Sequence, residues 1–310
     1  MSVNVLFSAR RDMWDKYRTP LASAFAAAGL SADLRTEIAP DLVDYIVYAP
    51  DGPVRDFSRF KRLKAVLGLW AGVEGVVGNA TLTVPMTRLV DSGLTEGMVE
   101  WVTGHVLRYH LGMDAQMSGQ NGIWTQVIPP LARNRRVGFL GLGELGSACA
   151  QALAALNFRV SGWSRSLKTI EGVTCLSDDA GLVKLLQSTD ILVLLLPLTP
   201  ATENLLNAER LALLPNGAFL LNPGRGALID DQALLAALNT GQIAHATLDV
   251  FRTEPLPSDH PYWSHPNVTV TPHIASETRA ETAALVIAEN IRRNEAGEPM
   301  RYVVDRAAGY

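Results

Sequence analysis

Three residues of types that move protons or hold carboxylates each follow a short apolar run. They are Arg225 in Asn222-Pro223-Gly224-Arg225-Gly226, Glu254 in Asp249-Val250-Phe251-Arg252-Thr253-Glu254-Pro255, and His273 in Thr271-Pro272-His273-Ile274-Ala275. These types suit reduction of a 2-keto acid. Hydride addition to the keto carbon leaves negative charge on oxygen, and a histidine is poised near neutral pH to deliver the proton. A planar, permanently charged guanidinium matches the substrate carboxylate. A glutamate beside the histidine stabilises the imidazolium and fixes the ring. Singly, each residue has an ordinary reading as a solvated loop cation, an exposed acid before Pro255 or a turn residue after Pro272. Together, at one edge of a dinucleotide-binding sheet, they read as catalytic.

The dinucleotide signal is Gly141-Leu142-Gly143-Glu144-Leu145-Gly146, which fits G-x-G-x-x-G. It follows an apolar strand pattern at 137–140 and opens an apolar helical pattern at 145–156, the context that gives the motif meaning. Gly141 permits a tight turn, Gly143 lets backbone approach a pyrophosphate, and Gly146 allows close helix–strand packing. The helix start, with Glu144 and Leu145, then offers unpaired N–H groups and the positive dipole end. About 20 residues on, an NAD enzyme carries an acid for the ribose 2′-hydroxyl. Here the strand at 159–163 runs into Trp163-Ser164-Arg165-Ser166, then Lys168, with no carboxylate. Two hydroxyls and two cations suit a 2′-phosphate, so the cofactor expected is NADP(H) in preference to NAD(H), with Arg165 as the main ligand.

These residues need strands to position them. Strand patterns fall at 3–7, 45–48 and 65–69, with a helix at 12–28 ending at Gly29. A long helical pattern covers 94–117, and a polar loop covers 118–134. Beyond Arg136 the alternation is strict. Strands at 137–140, 159–163, 191–196, 218–222, 245–250 and 268–270 interleave with helices at 145–156, 180–187, 208–214 and 231–239. Short, wholly apolar strands alternating with helices make a parallel sheet covered on both faces, with sites at the strands' carboxyl ends. The chain of 310 residues is 48% hydrophobic and 19% charged, with net charge −4, which suits a globular α/β protein of two domains. No basic stripe suggests nucleic acid. No apolar run is long enough for a membrane span. Cys149 and Cys175 read as reduced side chains, and the opening segment does not resemble a signal peptide, so a cytoplasmic location is expected. Tyr-x-x-x-Lys, G-x-S-x-G, P-loop and H-E-x-x-H motifs do not occur, and the histidine spacing suggests no metal site.

The glycine fingerprint, N-x-x-R-G, D-V-F-x-x-E-P and P-H-I together resemble the D-isomer-specific 2-hydroxyacid dehydrogenase family over nearly the whole chain. Gly162–Ser166, Leu196-Pro197-Leu198-Thr199-Pro200, Glu254-Pro255-Leu256-Pro257 and the ending Val304-Asp305-Arg306-Ala307-Ala308-Gly309-Tyr310 resemble its branch acting on glyoxylate and hydroxypyruvate. The resemblance implies a Rossmann nucleotide domain, 99–273, inserted in a flavodoxin-like substrate domain, 1–98 and 274–310. Both are doubly wound parallel-sheet α/β units. It implies that Arg225 binds the substrate carboxylate and carbonyl oxygen, and that His273 is the acid in reduction, assisted by Glu254. Asp249 would lie near the nicotinamide. Leu196, Pro197 and Leu198 would pack along the cofactor and Trp163 near its adenosine, with Pro223, Gly224 and Ala275 in the same set. The backbone N–H groups of Ala71, Gly72 and Val73 would hold the carboxylate. Tyr48 and Met98 align with pocket-facing positions, each equally readable as core. Trp124 reads either as a pocket residue, acting across a dimer, or as a packing anchor. A homodimer formed through 94–130 is implied. Trp70 stands where the family has glycine, which keeps open an action on larger keto or sugar acids. A non-catalytic dinucleotide sensor is the reading from another class.

Overall fold

The computed structural model describes residues 2–309. In chain order the elements are β1 (Val3–Ser8), α1 (Met13–Ala27), β2 (Ala32–Arg35), β3 (Tyr45–Tyr48), β4 (Ala65–Gly68), β5 (Met86–Thr87), α2 (Ser92–Leu111) and α3 (Met113–Ser118). There follow β6 (Arg136–Leu140), α4 (Glu144–Ala155), β7 (Arg159–Trp163), β8 (Val173–Leu176), α5 (Asp178–Gln187), β9 (Ile191–Leu194) and α6 (Ala208–Leu211). The last are β10 (Ala218–Asn222), α7 (Asp231–Thr240), β11 (Ile243–Leu248), β12 (Val268–Val270) and α8 (Ala280–Glu295). The chain divides into two compact units, one running to Leu94 and resuming at Glu277, the other spanning Thr95–Ser276.

The first unit holds a five-stranded parallel sheet in the order β2-β1-β3-β4-β5, the flavodoxin-like order. Its central strands are buried on both faces, which is why they are almost wholly apolar. Val3, Val5 and Phe7 of β1 join Tyr45 and Val47 of β3 on one face, under α1 and α8. Ala283, Ala284, Ile287, Ala288 and Ile291 form the buried stripe of α8 at helical spacing. Leu6, Ile46 and Val66 face the other way, against Phe57, Leu63, Val76 and Leu82 from connecting segments.

The second unit holds a seven-stranded parallel sheet in the order β12-β11-β10-β9-β6-β7-β8. Counted from β6, this is the doubly wound dinucleotide-binding order with one added edge strand. Val102 and Val106 of α2 and Cys149, Ala150 and Leu153 of α4 cover one face. Leu182, Leu185 and Leu186 of α5 and Leu234 and Leu238 of α7 cover the other. The sheet order reverses between β6 and β9, which opens a crevice at their carboxyl ends.

The expected helix at 94–117 is two helices. Gly112 adopts a left-handed conformation, φ 66°, and separates α2 from α3. Strands β2, β5 and β8 escape the periodicity. β2 and β8 are half-exposed edge strands and β5 has two residues, so none shows the apolar run of a central strand.

Candidate active site

The turn after β6 is shaped by its glycines. Gly141 has φ 110°, and its N–H donates to the Trp163 carbonyl at 2.9 Å. A Cβ at Gly141 would lie 2.5 Å from the Leu195 carbonyl oxygen, and one at Gly146 would collide with the Gly141 carbonyl. A Cβ at Gly143 would meet nothing within 4 Å. Gly141 and Gly146 therefore serve the protein's own packing, whereas the space at Gly143 is left for something else. Helix α4 starts there with no side-chain cap, so its first N–H groups face that space. A pyrophosphate fits this cradle by charge and by room.

At the end of β7 the Trp163 indole donates to the Asp178 carbonyl at 2.7 Å. The Ser164 hydroxyl donates to the Ser166 carbonyl at 2.8 Å and is buried, whereas Arg165, Ser166 and Lys168 are exposed. The turn offers cations and hydroxyl oxygens, and no carboxylate lies within it. Leu196, Pro197 and Leu198 line the exit of β9, half-buried.

Three further loops leave the carboxyl ends of β10, β11 and β12, and they are interlocked. Asn222 is 1% exposed. Its Nδ2 donates to the Arg225 carbonyl at 2.9 Å and its Oδ1 accepts from the Gly224 N–H at 3.2 Å, which fixes the loop of Pro223 and Arg225. Gly226 lies so close to the Phe251 backbone that any Cβ would collide. Arg252 reaches back over the Arg225 loop, donating to the Ile229 carbonyl at 2.8 Å and to Asn204 Oδ1. The Asp249 N–H donates to the Asn222 carbonyl at 3.0 Å.

The buried Asp249 carboxylate braces the turn after β12. It accepts from Thr271 Oγ1 at 2.6 Å, Ile274 N–H at 2.9 Å and Ala275 N–H at 3.0 Å. Its own carbonyl accepts from the His273 N–H at 2.8 Å. Four bonds thus hold the turn in which His273 sits at φ 54°, a left-handed conformation that needs such support. Asn222, Thr271 and Arg252 fix these loops, a task the motifs that contain them did not reveal. The available signal was a polar side chain closing an apolar strand, as at Asn222.

His273 Nδ1 lies 2.7 Å from Glu254 Oε2, and Glu254 Oε1 accepts from the Phe251 N–H at 2.9 Å. With the carboxylate ionised, this pairing assigns the proton to Nδ1 and leaves Nε2 for an external partner. The other histidines are occupied differently. Burial, then Arg108, pushes His245 down to about 4, and its Nε2 shares a hydrogen bond with Thr269 Oγ1 at 2.9 Å. Burial also lowers His105 and His110. His260 and His265 each accept a backbone N–H at Nδ1. Among the described residues no group of three or more His, Cys, Asp or Glu could hold a metal ion.

In the first unit, Ala71, Gly72 and Val73 follow β4, and their three N–H groups donate to no acceptor among the described residues. Tyr48 ends β3, buried against Phe57 with ring centroids 5.5 Å apart, and burial raises its phenol. In the second unit Met98, on α2, is a buried core residue. Trp124, in the second unit, is 92% exposed in the loop after α3.

Sheet order and glycine turn place the chain among the dinucleotide-dependent oxidoreductases. Residues 104–275 match the family model described as D-isomer specific 2-hydroxyacid dehydrogenase, NAD binding domain. The chain belongs to that family of D-isomer specific 2-hydroxyacid dehydrogenases. It is 42% identical over 256 residues to the glyoxylate/hydroxypyruvate reductase A of Yersinia enterocolitica, covering 80% of this chain and 82% of that one. A D-isomer specific 2-hydroxyacid dehydrogenase from Xanthobacter autotrophicus, solved with NADPH and MES, superposes with TM-score 0.91 at 43% identity over 100% of both chains. The NADPH-dependent glyoxylate/hydroxypyruvate reductase from Sinorhizobium meliloti, solved with NADP and sulfate, gives TM-score 0.84 at 35% identity, covering 100% of this chain and 99% of that one.

Proposed function

We propose that the protein reduces small 2-keto acids of the glyoxylate and hydroxypyruvate type to 2-hydroxy acids, using NADPH. The carrying observation is the His273–Glu254 pair at 2.7 Å, at the carboxyl edge of a dinucleotide-binding sheet. Bound NADPH supplies the hydride. In reduction His273 starts as the imidazolium, its Nδ1–H held by Glu254, gives its Nε2 proton to the new alkoxide and is left neutral. In the reverse direction Nε2 takes the alcohol proton and Glu254 steadies the imidazolium formed. Arg225 holds the carboxylate and polarises the keto oxygen. The unspent N–H groups of Ala71, Gly72 and Val73 are a second anion-binding element for the carboxylate. In this reading 1–98 with 274–310 is the substrate domain and 99–273, which falls within the unit Thr95–Ser276, is the nucleotide domain. Its pyrophosphate lies at Gly143, Glu144 and Leu145, and the 2′-phosphate at Ser164, Arg165 and Ser166. The protein works as a homodimer in the cytoplasm. The apolar segment after α3 supports the dimer. The free cysteines and the lack, among the described residues, of a helix long and apolar enough to cross a membrane are compatible with the location.

The test is the initial rate of NADPH and NADH oxidation with glyoxylate and hydroxypyruvate. Wild type should favour NADPH at least tenfold in kcat/KM, about the contribution of one charge-assisted contact. Ser164→Asp should narrow or reverse that ratio, because a carboxylate there repels the 2′-phosphate and accepts from ribose hydroxyls. A wild type favouring NADH overturns the cofactor assignment. Failure to oxidise either coenzyme with either keto acid would overturn the proposal and favour the non-catalytic dinucleotide sensor.

A further inference from the structure

The sequence contains six tryptophans, and the protein itself uses four of them. Trp14 packs on Phe7 with centroids 5.5 Å apart, and Trp101 on His105 at 4.3 Å. Trp163 and Trp263 donate their indole N–H groups to the carbonyls of Asp178 and Pro257. Trp70 and Trp124 have neither a ring partner nor a hydrogen bond from the indole among the described residues. Trp124 belongs to the exposed segment after α3. Trp70 does not, and it is 40% exposed.

Trp70 nevertheless stands on fixed backbone. The Leu69 N–H donates to the Tyr48 carbonyl at 2.8 Å, and the Leu89 N–H to the Trp70 carbonyl at 2.9 Å. Thr278 Oγ1 donates to the Leu69 carbonyl at 3.2 Å. The N–H groups of Val76 and Val77 both donate to the Val73 carbonyl at 2.9 Å, closing the turn beyond. Trp70 is thus partly covered by the protein, with the rest of its surface open to solvent on backbone that these bonds hold. The next three residues are Ala71, Gly72 and Val73, whose N–H groups are equally unspent.

We infer that Trp70 is a specificity-determining residue, a flat apolar face that receives the C3 substituent of a 2-keto acid whose carboxylate is held by the adjoining N–H groups. It extends the range of the same site from the smallest 2-keto acids to aryl- and branched-chain ones. An indole face attracts aromatic and aliphatic groups by dispersion and by its quadrupole, whereas glyoxylate has no C3 to contact it. This inference rests on the proposed function, since it presumes that keto-acid reduction occurs with the carboxylate at 71–73.

The test compares kcat/KM for phenylpyruvate and glyoxylate, with NADPH, in wild type, Trp70→Gly and Trp70→Phe. The phenylpyruvate-to-glyoxylate ratio should fall about tenfold in Trp70→Gly, and Trp70→Phe should restore most of it, because phenylalanine keeps the flat face. A ratio that stays constant, with both activities falling together, would show that Trp70 only supports the loop and would overturn the inference. A ratio that rises in Trp70→Gly would show that the indole excludes bulk and would overturn it equally. Failure of wild type to reduce glyoxylate would instead strike the proposed function itself.

Discussion

At the scale of single residues, the proposed chemistry depends on which nitrogen of His273 is left over. Glu254 occupies Nδ1 and is itself held by the Phe251 N–H, so the ring presents Nε2 in one orientation. Glu254→Gln keeps a hydrogen-bonding shape but removes the charge. It should lower kcat for keto-acid reduction about 10–100-fold and leave KM for NADPH unchanged, while His273→Ala should lose about 10²–10⁴-fold. Steady-state kinetics checks both, and a fully active His273→Ala enzyme would remove histidine from the mechanism. The types of Arg225, Glu254 and His273 were legible in the sequence because each is punctuated by proline or glycine after an apolar run. Asp249 was legible as a strand-end carboxylate, but its bracing of the His273 turn was not. An aspartate at a strand end looks the same whether it faces a ligand or braces a neighbouring turn, and only the three donors around its carboxylate decide.

At the scale of elements, parallel strands deliver their loops to one edge, but the ladder alone does not lock those loops to each other. The lock is made by Asn222, Asp249 and Arg252. Arg252 lies two residues before Glu254 and ties its loop to the Ile229 carbonyl, with Nε 3.6 Å from Asp231. Arg252→Met preserves most of the aliphatic stem and removes the donors. It should cost about 1–3 kcal/mol of stability and lower kcat/KM about tenfold, through misplacement of Glu254 relative to Arg225. Thermal unfolding read beside kinetics separates the effects, since a lower Tm with unchanged kcat/KM would make the clamp purely structural. Most of the strands and helices here follow from periodicity, because central parallel strands are apolar on both faces. The break at Gly112 did not, since a helix can absorb an isolated glycine and only its left-handed φ ends this one. Pro20, by contrast, is absorbed inside α1.

At the scale of the whole molecule, length suggests two domains, but it is the glycine turn that forbids cutting the chain at its middle. Each unit has a sheet of its own, covered on both faces, and the described C-terminal segment returns to the first unit, where Val304 N–H donates to the Met86 carbonyl at 2.8 Å. One segment lies outside this economy. Ile123, Trp124, Val127, Ile128 and Leu131 are 63–92% exposed after the short helix α3. Apolar side chains concentrated so closely in open solvent mark an association surface. Arg108 fixes the base of this segment through Asp114, at 2.7 and 2.9 Å, and through Thr269 at 2.9 Å, so the segment leaves a held root. A second copy of this chain is its expected occupant. Trp124→Ser with Ile128→Ser removes the two most exposed of these side chains without touching either core. Aromatic anchors commonly contribute 2 kcal/mol or more to an interface, so the double variant should weaken self-association about 100-fold or more. Sedimentation equilibrium should then show a dimer for wild type and a monomer–dimer mixture or monomer for the variant at the same micromolar concentration. A wild type that sediments as a monomer would leave the exposed segment without its second copy and overturn the dimer.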